Sequence, residues 1–506
     1  MSNAKNFRAT LEAGNSFEGD FITLGAAMFE GEVLTHAHIN VPLKTLNRHG
    51  LIAGATGTGK TKTLQVLAEN LSLKGIPVLL MDIKGDLSGL AKPGVNHPKI
   101  TERQDKIGLS YEPTGFPVEL LSLSEQGGVR LRATVTEFGP ILFSQILDAS
   151  DVQAGIISVL FKYCDDHDLP LLDLKDFKKV LLYANNEGNK EIEKEYGSIS
   201  TASTGAILRK IVALEQQGAA LFFGEKSFDV QDIKRLDTKG HGAINIVRLT
   251  DIQDRPKLFS TFMLSLLAEI YSTFPEQGDS GQPELVIFID EAHLIFDQAS
   301  KALHDQIENM VKLIRSKGVG LYFITQNPTD VPEGVLSQLG LKIQHALRAF
   351  TAKDRKAIKL TAQNYPISEF YDTESVLTSL GIGEALVSAL DEKGRPTPLA
   401  ATLMRAPVSR MDILSPEELE EVYRKSELTA KYNETIDRES AYELLTKKLE
   451  EAKTEEIKQK TQEERKKMSS SSSSDMGQAT QKAILKVLTS TTVIRSVLGI
   501  LGKMIK

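Results

Sequence analysis

The octapeptide Gly54-Ala55-Thr56-Gly57-Thr58-Gly59-Lys60-Thr61 fits the spacing G-x-x-x-x-G-K-[ST], which suits it to gripping a triphosphate. Main-chain N–H groups of residues 55–61 can surround phosphate oxygens only where the chain turns tightly. Gly54, Gly57 and Gly59 permit such a turn. A helix that follows directly presents its positive N-terminus to the same phosphates. Lys60 supplies a charge toward the β and γ phosphates, Thr61 supplies a hydroxyl to Mg2+, and Lys62 closes the nucleotide-binding stretch.

A second constellation lies far along the chain. Five apolar residues, 285–289, run into Asp290-Glu291. A buried strand that ends in two carboxylates delivers them to the sheet edge where ligands bind. Asp290 then holds Mg2+, through water, and Glu291 polarises the attacking water as general base. A solvated acidic turn is the plain alternative, weakened by the glycine loop in the same chain. His293 couples nucleotide state to a partner surface or is simply structural. A third apolar run, 320–325, ends at Gln326, placed to contact the γ-phosphate or the lytic water unless it is only a turn residue before Asn327-Pro328. Arg315 ends a helix just before Gly318, and Arg348 follows the strand that begins at Lys342. Either can reach a neighbouring subunit's γ-phosphate, although solvated arginines are the commoner case.

These residues need elements to place them. Residues 51–55, 61–75 and 77–83 read as strand, helix and buried strand, one βαβ unit around the glycine loop. Residues 1–46 read as a short β-rich lead-in. Residues 47–94 and 241–405 form an α/β core, with strands expected at 242–249, 285–289, 320–326, 342–349 and 384–390 and helices at 256–272 and 302–316. Their near-continuous apolar character predicts a mainly parallel sheet covered on both faces. Residues 95–240 carry helical periods at 140–148, 151–166, 173–186 and 203–218 and read as a mostly helical insertion, which accounts for the long separation of Lys60 from Asp290. Ser415-Pro416-Glu417-Glu418 is a capping box opening a charged helical arm over 410–467. A Ser-rich linker (468–477) and a cationic amphipathic helix (478–506) follow.

Composition sets the bounds. The chain has 506 residues, 41% of them hydrophobic, enough to bury a core. Lys+Arg total 60 against Asp+Glu 67, a formal charge of -7, so any nucleic acid is held by a local basic surface or a ring of subunits. The single cysteine, Cys164, excludes a disulfide framework and fits a reducing cytoplasm. Neither a signal peptide nor a transmembrane run is legible.

Taken in order, residues 54–61, 79–90, 285–296 and 324–328 resemble the HerA/FtsK branch of RecA-like P-loop ATPases, and more narrowly the bacterial HerA-like ATPases. Residues 132–148 and 203–218 are similar to insertion segments of that narrower group. The resemblance implies a RecA-type core, hydrolysis of ATP with Mg2+, assembly into a homo-oligomeric ring, often a hexamer, and translocation on DNA. It also implies a supporting role in hydrolysis for Asp86 and, more weakly, Asp82. Full HerA proteins carry a substantial N-terminal β-barrel, where this sequence has only the short lead-in. Two other expectations stay open. One is an ATP-driven machine acting on protein or at a membrane surface, motivated by residues 478–506. The other is a nucleotide-gated scaffold with little turnover, which the intact Lys60, Thr61, Asp290 and Glu291 oppose.

Overall fold

The computed structural model describes residues 2–278, 280–296, 301–434, 436 and 438–470. The chain divides into two units, Met1–Tyr442 and Glu443–Lys506. Residues 471–477 of the expected linker and the whole cationic segment 478–506 lie outside the described residues.

The first unit is built on one mixed sheet that joins twelve strands among the described residues. In chain order they are β1 (Phe21–Phe29), β2 (Glu32–Pro42), β3 (Gly50–Ala53), β4 (Val78–Asp82), β5 (Val118–Ser122), β6 (Val129–Arg130), β7 (Ile244–Arg248), β8 (Leu285–Ile289), β9 (Val319–Thr325), β10 (Leu341–His345), β11 (Glu384–Ser388) and β12 (Ala400–Met404). Across the sheet they run β2-β1-β12-β11-β10-β3-β9-β8-β4-β7-β5-β6. From β10 to β6 every pairing is parallel. From β10 to β2 every pairing is antiparallel. The central strands are buried along their whole length, which is why they read as unbroken apolar runs. Alternate residues, among them Ile52, Leu80, Phe288 and Ile324, join Leu64 and Leu67 of the helix Lys60–Leu73 in one core. The opposite face takes the helix Pro256–Thr273, whose Phe262 and Leu266 meet Leu79 and Val247.

Three expectations about the chain's organisation need correcting. Residues 2–14 are helical, and β1 and β2 are full members of the sheet rather than a separate lead-in. That helix is polar apart from a narrow stripe, and Phe7 and Leu11, one turn apart, are its buried anchors. Phe7 packs on Phe29, Phe370 and Tyr371 at 5.1–5.3 Å between ring centres. The stretch 95–240 likewise contains β5 and β6, which extend the parallel sheet. With five residues, one of them the Arg235-paired Glu119, β5 gives no strand signal of its own. Five helices then form the body of the insertion: Val135–Ile146, Asp151–Asp166, Leu174–Asn185, Asn189–Tyr196 and Thr201–Gln216.

The run 410–467 is not one solvated arm. The capping box at Ser415 forms, with Glu418 N–H on Ser415 Oγ at 3.3 Å and Ser415 N–H on Glu418 Oε2 at 3.0 Å, and opens the helix Pro416–Lys425. The next helix, Glu427–Tyr432, buries Leu428 and Tyr432, and Asn433 bonds the backbone of Gly128 and Arg130 beside β6. In the second unit, residues 443–470 continue the helix Ala441–Ser470. There residues 451–466 are exposed and carry pairs such as Lys460–Glu456 at 2.6 Å. Among the described residues no helix is long and apolar enough to cross a membrane.

Candidate functional site

Strands β3, β9, β8 and β4 are consecutive and parallel, so their carboxyl ends share one edge. That edge collects the glycine loop after β3, Gln326 after β9, Asp290 and Glu291 after β8, and Asp82, Lys84 and Asp86 at the end of β4.

The loop is shaped from below by β10 and β11. Ala55 N–H bonds Ala346 O at 2.9 Å, and Gly383 N–H bonds Thr58 O at 2.9 Å. Gly54 has φ 151°, and a Cβ there falls 2.5 Å from His345 Cβ. Gly59 has φ 119°, with Gly383 Cα 3.2 Å from where its Cβ belongs, so both positions demand glycine. Lys60 starts the helix Lys60–Leu73 and is 7% exposed; its Nζ donates to Gly54 O at 2.6 Å and Ala55 O at 3.2 Å. Burial and then the Lys84 charge lower its pKa, while Glu291 and Asp290 act the other way, so both acids are felt at the loop lysine. Thr56 and Gly57 are exposed at the loop tip, and Thr61 is half-buried in the helix's first turn. Lys62 turns its side chain elsewhere, to Met411 O at 2.5 Å.

The acidic pair leaves β8 on a turn fixed by Ala292 N–H on Ile324 O at 2.9 Å. Both acids are buried, and Glu291 has φ 46°, a conformation uncommon for a residue with a Cβ. Burial pushes the Asp290 carboxyl up to about 6, with Lys84 opposing and Glu291 adding to the rise. Asp82 is pushed up to about 6, by burial and then by Asp86. Asp82 accepts three amides, from Gly85, Asp86 and Leu87, at 2.7, 3.2 and 3.2 Å. It shapes the loop that carries Lys84 and Asp86. Asp86 Oδ1 and Glu291 Oε2 are buried without a hydrogen-bond partner. Buried carboxylate oxygens left without a partner are hard donors of the kind Mg2+ takes, so the acids at this edge fit that ion in chemical type.

Gln326 is exposed and shares a cavity of about 460 Å³ with Ala55, Thr56, His293 and Arg348. Arg348 Nη1 donates to Thr378 O at 3.2 Å. His293 Nδ1 stands 3.3 Å from Glu291 Oε2. Arg315 does not join this group. It lies with Lys44, Arg48 and Lys312 in a groove of about 440 Å³ at the amino edge of the sheet, opposite the glycine loop.

Three residues at this edge escape sequence reasoning. His345 ends β10, its Nδ1–H donating to Glu384 O at 2.9 Å and its Nε2 meeting Thr63 Oγ1 at 2.9 Å. Burial lowers its pKa to about 4, so the ring is neutral and Nε2 accepts. Arg103 donates to Gly383 O, Met404 O and Ile382 O at 3.0–3.2 Å, holding the segment against which the glycine loop rests. Lys84 stands between Asp82 and Asp86, two residues from each, and its sequence signal is no more than a cation flanked by acids.

The family described as "Helicase HerA-like C-terminal" matches residues 29–505. The chain belongs to that family. The DNA double-strand break repair helicase HerA of Sulfolobus acidocaldarius is 25% identical over 361 residues, 70% of this chain and 64% of that one. The DNA import protein CedB of the same organism is 24% identical over 352 residues, 69% of this chain and 51% of its own. The chain therefore spans less than two thirds of the length of either relative. Among solved structures, the plasmid coupling protein TrwB in complex with ADP and Mg2+ superposes with a TM-score of 0.51 at 15% identity, covering 79% of this chain and 99% of that one. The shared fold is the RecA-like α/β core.

Proposed function

We propose that this protein is a Mg2+-dependent ATPase that moves along DNA as a ring of identical subunits in the cytoplasm. The observation that carries the reading is the meeting of two distant segments at one sheet edge: the glycine loop with Lys60, and the buried pair Asp290-Glu291. In this reading the amides of residues 55–61 hold the phosphates, and Lys60 leaves the Gly54 and Ala55 carbonyls to meet the β and γ phosphates. Thr61 and Asp290 would hold Mg2+, which would neutralise charge on the phosphate oxygens. Glu291 takes a proton from the attacking water, and Gln326 orients that water or the γ-phosphate. Asp86 and the loop shaped by Asp82 frame the site. Arg348, at the cavity rim, or Arg315, at the far edge, serves the adjoining subunit's nucleotide.

DNA as the track is supported by family membership and by the two relatives, a DNA double-strand break repair helicase and a DNA import protein. Translocation ties hydrolysis to the track. Duplex or single-stranded DNA is therefore expected to raise the steady-state ATPase rate of the full chain several-fold at low salt, with the stimulation fading as salt rises. Turnover that no DNA alters, together with no DNA binding at low salt, removes the translocase reading and leaves an ATPase acting on another substrate, protein or a membrane surface.

A further inference from the structure

Lys84 has no part in the scheme above, yet it makes the shortest ionic contact with the acid to which that scheme gives the proton. Its Nζ is 2.5 Å from Glu291 Oε1 and 3.9 Å from Asp290 Oδ2. The contact follows from the topology. Strands β4 and β8 are neighbours with Met81 opposite Ile289, so the loops leaving them start side by side. The three amides on Asp82 give the Lys84 loop a fixed shape, and the Ala292–Ile324 bond fixes the other loop.

The two oxygens of Glu291 are unequal. Oε1 is taken by the ammonium, whereas Oε2 is buried with no hydrogen-bond partner and only the His293 ring at 3.3 Å. Glu291 is 6% exposed and held at φ 46°. An exposed ion pair of this kind adds little to stability. Here one partner is buried, and a charge-assisted bond to one oxygen fixes the plane of the whole carboxylate. We propose that Lys84 is a positioning residue for hydrolysis: it saturates Oε1 of Glu291 and so presents Oε2 as the oxygen that accepts the water's proton. The proposal rests on the assignment of Glu291 as general base. Lys84 acts through that glutamate and touches neither the phosphates nor the water.

The test is steady-state ATP turnover by the full chain, wild type beside Lys84→Met, Lys84→Arg, Glu291→Gln and the double variant Lys84→Met/Glu291→Gln. Binding of a fluorescent ATP analogue to each checks that the site is intact. Lys84→Met is expected to lower kcat by about thirtyfold, the scale of a misplaced catalytic group, with KM for ATP changed less than about threefold. Lys84→Arg restores part of the loss. The double variant is no slower than Glu291→Gln alone, because Lys84 has nothing left to position. Additive losses in the double variant, a raised KM with kcat intact, or faster turnover in Lys84→Met each overturn the proposal. The second of these makes Lys84 a phosphate ligand, and the third makes it a brake. A Glu291→Gln variant as active as wild type overturns the base assignment itself, and is told apart because it needs no Lys84 variant to be seen.

Discussion

Lys60→Ala is expected to lower ATP turnover by about a thousandfold, the scale of removing one preorganised charge from a phosphoryl-transfer site, and to weaken nucleotide binding as well. Lys60 is 7% exposed, and its ammonium already sits among the loop carbonyls of Gly54 and Ala55. It therefore has only a short distance to travel to the phosphates, and an alanine methyl cannot replace its charge. Phosphate release under steady state measures the first effect and titration with a fluorescent ATP analogue the second. Because the loop is also held by Ala346 and Gly383, the melting temperature should move by only a few degrees. A variant that keeps turnover within tenfold of wild type removes Lys60 from the chemistry.

Glu291→Gln should separate binding from chemistry. Glutamine keeps the shape and can still occupy the turn at φ 46°, but it cannot take a proton from water. Turnover is expected to fall by about 10²–10⁴-fold, the usual worth of a general base, while ATP binding stays within a few-fold. Lys60→Ala loses both, so the pair of variants distinguishes a phosphate ligand from a base. Wild type and Glu291→Gln hydrolysing equally slowly is the result expected of a nucleotide-gated scaffold.

What could be read directly from the sequence is what depends on local order. The glycine loop is one continuous peptide whose job, wrapping phosphates with its own amides, fixes its residue types. Asp290 and Glu291 stand out because five apolar residues precede them, so their place at the sheet edge follows from β8 alone. The helices of the insertion announce themselves by period, and several begin with capping boxes, as at Ser150 and Asp173. What escaped depends on contacts between remote segments. Arg103 matters only because its helix lies against the backbone around Gly383, and nothing in its neighbourhood in sequence says so. His345 looks like a polar interruption at a strand end until Thr63 and Glu384 are seen on either side of its ring. The pairing of the antiparallel strands is similarly hidden: the lead-in and 384–390 read as strand, but β12 is short and β1 pairs with it across most of the chain. The helix Ser2–Gly14 has two anchoring side chains and little else to mark it.

The account stands most directly on one structure: the full-length Glu291→Gln variant solved with ATP and Mg2+. It predicts the triphosphate wrapped by the amides of residues 55–61, Lys60 Nζ moved from Gly54 O onto phosphate, and Mg2+ about 2.1 Å from Thr61 Oγ1. A nucleotide bound away from this loop, or one bound here with Asp290 and residue 291 turned away from its terminal phosphate, contradicts it.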